Sequence, residues 1–332
     1  MPLLVFDEIH KDPRWKSTLK GIYDTLTRSC DILVTGSARL NVYRKGSDSL
    51  LGRYFHFRLH PFSLREMHSA DSIHPDELID SIFSRSLRSL KGSRADLAAL
   101  MRLGPFPEPL LRQNERTARL WRKTRGEAII REDLRDISRI PELARIELMV
   151  SLLPELVGSP FSVNSLREDM EVSFDTVSRW LAYLKALYYL YEIKPFSTKI
   201  RRSLRKEGKM YFWDWGEVPT EGARFENLVA SHLLKACHFW TDTGEGDFKL
   251  FYLRNKEKQE IDFLIVRDGQ PWLPVEAKYG DSALSPNWGK FLGMLPCKCG
   301  IQVVSKPAWQ LHSFDDRQVL VAGAAELLNY FV

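Results

Sequence analysis

No apolar run in this 332-residue sequence approaches the roughly 18 residues that span a bilayer, and no repeat or low-complexity tract breaks the chain. A membrane span and extended disorder are both excluded as readings. Cysteine is scarce: Cys30, Cys237, Cys297 and Cys299 form no pair of CxxC motifs, and Cys297-Lys298-Cys299 is too close for ordinary zinc chelation. They read as reduced thiols of a cytoplasmic protein. Histidine adds nothing to a metal reading, since His10, His56, His60, His232, His238 and His312 share no recurrent spacing with cysteines or acids. No basic stretch precedes the first apolar residues, so the N-terminus does not read as a signal peptide. An excess of one charge sign is also missing: 48 basic against 43 acidic residues leave +5, which matters only where it clusters.

The chain that remains is ordinary in composition, 44% hydrophobic and 27% charged, and about twice the ~150 residues typical of one domain. Leu3-Leu4-Val5-Phe6 and Ile32-Leu33-Val34-Thr35 are apolar on both pleat faces, the pattern of strands buried in a parallel sheet, with a helix between them near Trp15 to Arg28. Arg53 to Leu59 alternates like a third strand and stops at Pro61. Residues 75–150 read as helices broken by Gly104-Pro-Phe-Pro-Glu-Pro109.

From Pro160 the pattern is helix, turn, helix. Ser173 is placed to cap the second helix, and Val177, Leu181, Leu184 and Tyr188 make its apolar face. Strand-like runs at Leu187 to Ile193 and Met210 to Trp213 flank residues 194–209, which carry seven basic side chains and one acid. A helix-turn-helix followed by a hairpin with a basic tip is the outline of a winged helix. Phosphate contacts would come from Arg201, Arg202, Arg205 and Lys206, with Thr176 and Arg179 facing a DNA groove. Trp213 and Trp215 read as core. Beyond residue 220 the order is helix, three strands (248–254, 260–267, 272–278), helix and strand, with Glu226 on the first helix.

Two constellations carry chemistry. Asp7-Glu8 follows four apolar residues, so two carboxylates end a strand where open α/β sheets bind ligands, as in a Walker B segment. In the C-terminal part, Glu276 and Lys278 share a strand face and a hairpin partner can bring Asp262 beside them. Paired carboxylates with a lysine suit Mg²⁺ or Mn²⁺, with Asp262 and Glu276 as the ligands. This set looks like the PD-(D/E)xK nuclease core, and Glu226 matches the extra acid of many members of that superfamily. The bland reading is a same-strand ion pair among solvated acids.

The segments LLVFDEIHK, ILVTGSARL, LLGRYFHFRLHPFSLREM and GEAIIREDLRDI, in that order, resemble prokaryotic AAA-family ATPases that carry a winged helix and a C-terminal domain of unknown function with a nuclease-like core. The resemblance implies Walker B acids at Asp7 and Glu8, a sensor at Ser37 and a transition-state arginine at Arg53. It also implies a phosphate loop that this sequence lacks, for no GxxxxGK[ST] occurs anywhere in it. ATP is therefore expected only if that loop is supplied elsewhere, and the missing first strand would lie between the strands at Ile32 and Tyr54.

The expectation is an α/β multidomain chain. It has a partial AAA-type sheet at 1–70, a helical lid and connector at 71–144, a winged helix-turn-helix at 145–215 and a restriction-endonuclease-like α/β domain at 216–332. The expected activity is Mg-dependent DNA phosphodiester cleavage at Asp262, Glu276, Lys278 and Glu226, without ATPase activity from this chain alone. DNA is the expected partner, with a homo-oligomer or partner chain left open. The alternatives are a non-enzymatic DNA- or protein-binding module with vestigial sites, or a fragment of an active ATP-binding protein.

Overall fold

The computed structural model describes residues 2–12, 14–26, 30–36, 50, 52–68, 71–87, 92–133, 143–197, 207–280 and 283–332. Strands β1 (Leu3–Phe6) and β2 (Asp31–Val34) pair in parallel, Leu3 opposite Asp31 and Phe6 opposite Val34, with helix α1 (Trp15–Thr25) between them in sequence. The strand-helix-strand order is as expected, but the burial is not. Leu3 is 57% and Leu33 49% exposed, because among the described residues no further strand joins this pair. The expected third strand is also absent: residues 53–59 form no ladder among the described residues, and Phe55 stands 89% exposed. Alternation makes a strand only where a neighbour accepts its hydrogen bonds, and none does so among the described residues.

Helices α2 (Pro75–Phe83), α3 (Ser93–Leu103), α4 (Pro107–Arg112), α5 (Glu115–Ala128) and α6 (Leu143–Leu152) follow. Proline opens α2 and α4, where its missing N–H costs nothing. Gly104 ends α3 with a positive φ of 82°, a backbone that glycine adopts without steric cost. Helices α7 (Val163–Asp169) and α8 (Phe174–Ala186) occupy the predicted helix-turn-helix segment. Ser162 and Ser173 cap them, accepting from the amides of Ser165 and Thr176. Helix α8 buries Val177, Trp180, Leu181 and Leu184.

Eight strands build the main sheet: β3 (Leu190–Pro195), β4 (Lys209–Phe212), β5 (Phe248–Arg254), β6 (Glu260–Arg267), β7 (Gln270–Lys278), β8 (Cys299–Val304), β9 (Trp309–Phe314) and β10 (Arg317–Gly323). Their spatial order is β4-β3-β5-β6-β7-β8-β10-β9. Strand β3 pairs antiparallel with β4 and parallel with β5, through Lys194 opposite Phe251. The sheet thus runs across the expected boundary at 215/216. Strands β9 and β10 have no counterpart in the sequence-based expectation; the edge strand Trp309–Phe314 keeps most of its side chains partly or fully exposed and has no clean alternation.

The long helix α9 (Glu221–Asp242) covers one face and the short α10 (Asn287–Met294) covers the other. Phe263 and Ile265 join the core with α9, while Leu264 and Val266 join the core with Trp288 and Phe291 of α10. Burial on both faces explains the unbroken apolar run of β6. Trp213 and Trp215 are buried, and the Trp215 indole donates to the Leu100 carbonyl at 2.7 Å. All four cysteines are free. Among the described residues no helix is long and apolar enough to cross a membrane.

Candidate functional site

The acids of the C-terminal part converge where β4, α9, β6 and β7 meet. Antiparallel pairing of β6 with β7, Phe263 opposite Val275, brings Asp262 next to Glu276. The two are tied by backbone as well as side chain: the Asp262 amide donates to Glu276 at 3.3 Å, and the Ala277 amide donates to Asp262 Oδ2 at 3.0 Å. Lys278 Nζ lies 2.8 Å from Glu276 Oε1, as expected for one strand face. Glu226 enters from α9 and accepts from the Tyr211 hydroxyl at 2.8 Å. All four predicted residues are therefore together.

A fifth residue sits among them. Lys209, the first residue of β4, is fully buried, and its Nζ lies 3.0 Å from Glu260, 3.3 Å from Glu226 and 3.3 Å from Asp262. Sequence reading places Lys209 in the basic connection and does not single out Glu260 or Tyr211. Period-two alternation groups them only once the strands are placed side by side. Lys209 and Tyr211 share one face of β4, and Glu260 and Asp262 share one face of β6, so each pair points into one cluster.

The electrostatics follow from burial. Withdrawal from water pushes the Glu226 carboxyl up to about 7, with Asp262 adding to the rise and Lys209 and Tyr211 opposing it. Glu276 is raised to about 7 by burial and by Asp262, against the pull of Lys278. For Lys209 burial acts to lower the pKa, but Glu226, Asp262 and Glu260 outweigh it and hold the ammonium charged. Tyr211 is driven well above its ordinary range by burial and by Glu226, so it remains a neutral donor.

Mg²⁺ or Mn²⁺ fits this donor set poorly. The Lys209 ammonium already lies among Glu226, Glu260 and Asp262, and the oxygens of Asp262 and Glu276 are engaged by Lys209, Lys278 and two backbone amides. Among the described residues no group of three or more His, Cys, Asp or Glu is disposed to hold a metal ion.

The N-terminal constellation is less assembled. Asp7 accepts from the Thr35 hydroxyl at the end of β2, and Glu8 pairs with Lys11 at 3.4 Å. Arg53 is held by Asp24 of α1 at 3.5 Å. Ser37 lies outside the described residues, as do Arg201, Arg202, Arg205 and Lys206. On α8, Arg179 is exposed, whereas Thr176 is half-buried with its hydroxyl 2.8 Å from Ser173. Arg179 is therefore available for contact, and Thr176 is committed to the cap.

Residues 1–68 match the AAA domain family. Residues 94–220 match a domain of unknown function (DUF8612), and residues 221–322 match another (DUF4143). An uncharacterized protein of Mycobacterium tuberculosis is 23% identical over 286 residues, covering 81% of this chain and 57% of the relative. One of Mycobacterium bovis matches to the same extent. An uncharacterized protein of Haemophilus influenzae is 22% identical over 289 residues, covering 83% of this chain and 65% of the relative. The chain spans a little over half the length of the mycobacterial relatives it matches. In family terms it is similar to an AAA domain at its N-terminus, and to a domain of unknown function where the acid cluster lies.

Proposed function

We propose that this chain is the DNA-docking part of an AAA-type ATPase, with α7 and α8 as a helix-turn-helix and the β3–β4 hairpin as its wing. The observation that carries the reading is the two-sided character of α8. Val177, Trp180, Leu181 and Leu184 anchor one side, while Phe174, Asp175 and Arg179 stay exposed at its N-terminal half. That half is where a recognition helix meets base edges and phosphates. In the sequence, seven basic residues fall between 194 and 209, and Arg201, Arg202, Arg205 and Lys206 among them are the proposed phosphate contacts. ATP enters this reading only through a phosphate loop on another segment or a partner chain.

The test is fluorescence anisotropy of a labelled duplex over a range of salt. Wild type is expected to bind with a steep salt dependence. Arg179→Ala should weaken binding by roughly tenfold, equivalent to 1–2 kcal/mol. Neutralising the four hairpin cations should flatten the salt slope by about 0.9 for each phosphate they neutralise in wild type. An unchanged affinity and slope in both variants would reject the docking surface.

A second reading, phosphodiester cleavage, starts from the convergence of Asp262, Glu276, Lys278 and Glu226 and requires a metal to displace Lys209 from their carboxylates. The same samples decide it: nicking of supercoiled DNA with Mn²⁺, absent with EDTA and in the Asp262→Asn, Glu276→Gln double variant, would favour cleavage over docking alone.

A further inference from the structure

The centre of the acid cluster is closed to solvent, although Glu226, Glu260 and Lys278 stay partly exposed, and the cation at that centre belongs to the chain. Lys209 exposes nothing to solvent, and its ammonium has three hydrogens facing three carboxylates, Glu226, Glu260 and Asp262, at 3.0 to 3.3 Å. The donor count and the acceptor count agree. Strand β4 is also fixed beyond its ladder, because the side chain of Asn227 on α9 bonds both the amide and the carbonyl of Phe212, at 2.8 and 2.9 Å. The lysine is thus delivered to one place by the strand that carries it.

We propose that Lys209 is the resident cation of this cluster, standing where a divalent metal would have to bind, and that the native chain holds neither Mg²⁺ nor Mn²⁺ there. A metal shared by Glu226 and Asp262 needs oxygens at about 2.0–2.2 Å in place of the ammonium. It would also lie beside a buried positive charge, at a large electrostatic penalty. Admission therefore requires Lys209 to leave, and the Asn227 clamp on β4 opposes that. The bonds of Asp262 and Glu276 to backbone amides add to the closure. In this role the carboxylates hold β4, α9 and β6 together. The inference is independent of DNA docking by α8, which can hold or fail without touching Lys209.

The experiment uses the full chain. Amine-reactive labelling read by mass spectrometry is run with and without Mn²⁺, with the exposed Lys249 as internal reference, and Mn²⁺ binding is followed by electron paramagnetic resonance. The expected result is that Lys209 stays unmodified in both conditions while Lys249 reacts, and that wild type shows no Mn²⁺ site dependent on Asp262. In a folded Lys209→Met variant, a Mn²⁺ site should appear and vanish again on Asp262→Asn. Labelling of Lys209 that rises with Mn²⁺, or an Asp262-dependent Mn²⁺ site in wild type, overturns the proposal. So does a folded Lys209→Met chain that gains no site. If that variant does not fold, labelling of wild type decides alone.

Discussion

A single side chain can be assigned a role only after its partners are known, and Lys209 and His232 show why. Composition marks lysine as a surface residue, and Lys209 ends a strongly basic run, so nothing in its neighbourhood separates it from Arg201 or Lys206. What separates it is its contact with Asp262 of β6, 53 residues downstream, a long-range fact that local pattern does not carry. The predicted acids were legible because Asp262, Glu276 and Lys278 lie on adjacent strands of one hairpin. His232 reads as a structural or surface residue in the sequence, and its geometry makes it acid-sensitive. It is fully enclosed, with Nε2 accepting from the Leu64 amide at 3.0 Å and Nδ1 placed at 2.8 Å to donate to the Leu228 carbonyl. That network assigns the neutral tautomer. Burial pushes its pKa down to about 4, with Lys235 adding to the fall while Leu228 and Glu66 oppose it. Because the unfolded chain takes up a proton near pH 6.5 and the folded one does not until about 4, stability from this group is full above 6.5. It is lost as the pH falls towards 4. By pH 5 the loss is about 2 kcal/mol. Urea melts at about pH 7.5 and about pH 5 should therefore show a drop smaller by that amount in His232→Gln than in wild type. Equal drops would mean that His232 is not the buried neutral group described.

At the scale of elements, the chain separates into strands that are secured and strands that are not. β6 was predictable because it is apolar on both faces and is covered on both. The same pattern in β1 and β2 leads to the same expectation and a different outcome, since periodicity reports a residue's preference and not whether a covering layer exists. Leu3, Val5 and Leu33 remain largely exposed, and a two-stranded ladder gains little burial to offset its ordering entropy. The helix-turn-helix segment was legible from short-range features, Ser173 and the spacing of Val177, Leu181 and Leu184, all of which recur in α8. The fusion of the β3–β4 hairpin to β5 was not, because the intervening helix α9 is 22 residues long and hides the pairing from any local window. Hydrogen exchange should register the contrast. Amides of residues 3–6 and 31–34 are expected to exchange through local opening, well before the amides of β6 and β7, which should require global unfolding. Matching protection in the two sheets would show that β1 and β2 are covered in solution.

For the whole molecule, the decisive question is what the N-terminal AAA-like residues still do. One hydrophobic core extends from Leu64 through the helices, α8 and α9 to Phe331, so the helical middle and the large sheet share their interior. Nothing of β1 or β2 enters it, and the segment that matches the AAA family contributes to the common core through its last residues. Nucleotide binding by this segment would need backbone amides and a lysine around the β- and γ-phosphates, and the sequence holds no GxxxxGK[ST] to provide them. Asp7 accepts from the Thr35 hydroxyl, and Arg53 ion-pairs with Asp24 of α1. A ligand that binds only the folded state raises stability by RT ln(1 + [L]/Kd), about 2.7 kcal/mol at a hundredfold excess over Kd. A titration of this chain with Mg-ATP should therefore leave its Tm unmoved at concentrations that saturate ordinary ATP sites. Addition of a segment or partner bearing a phosphate loop should make the Tm respond to ATP, and the response should be lost in Asp7→Asn if that acid serves the completed site. A rise in Tm with this chain alone would instead locate nucleotide binding in the structure described, and would reject the view that the AAA-like segment needs a loop from elsewhere.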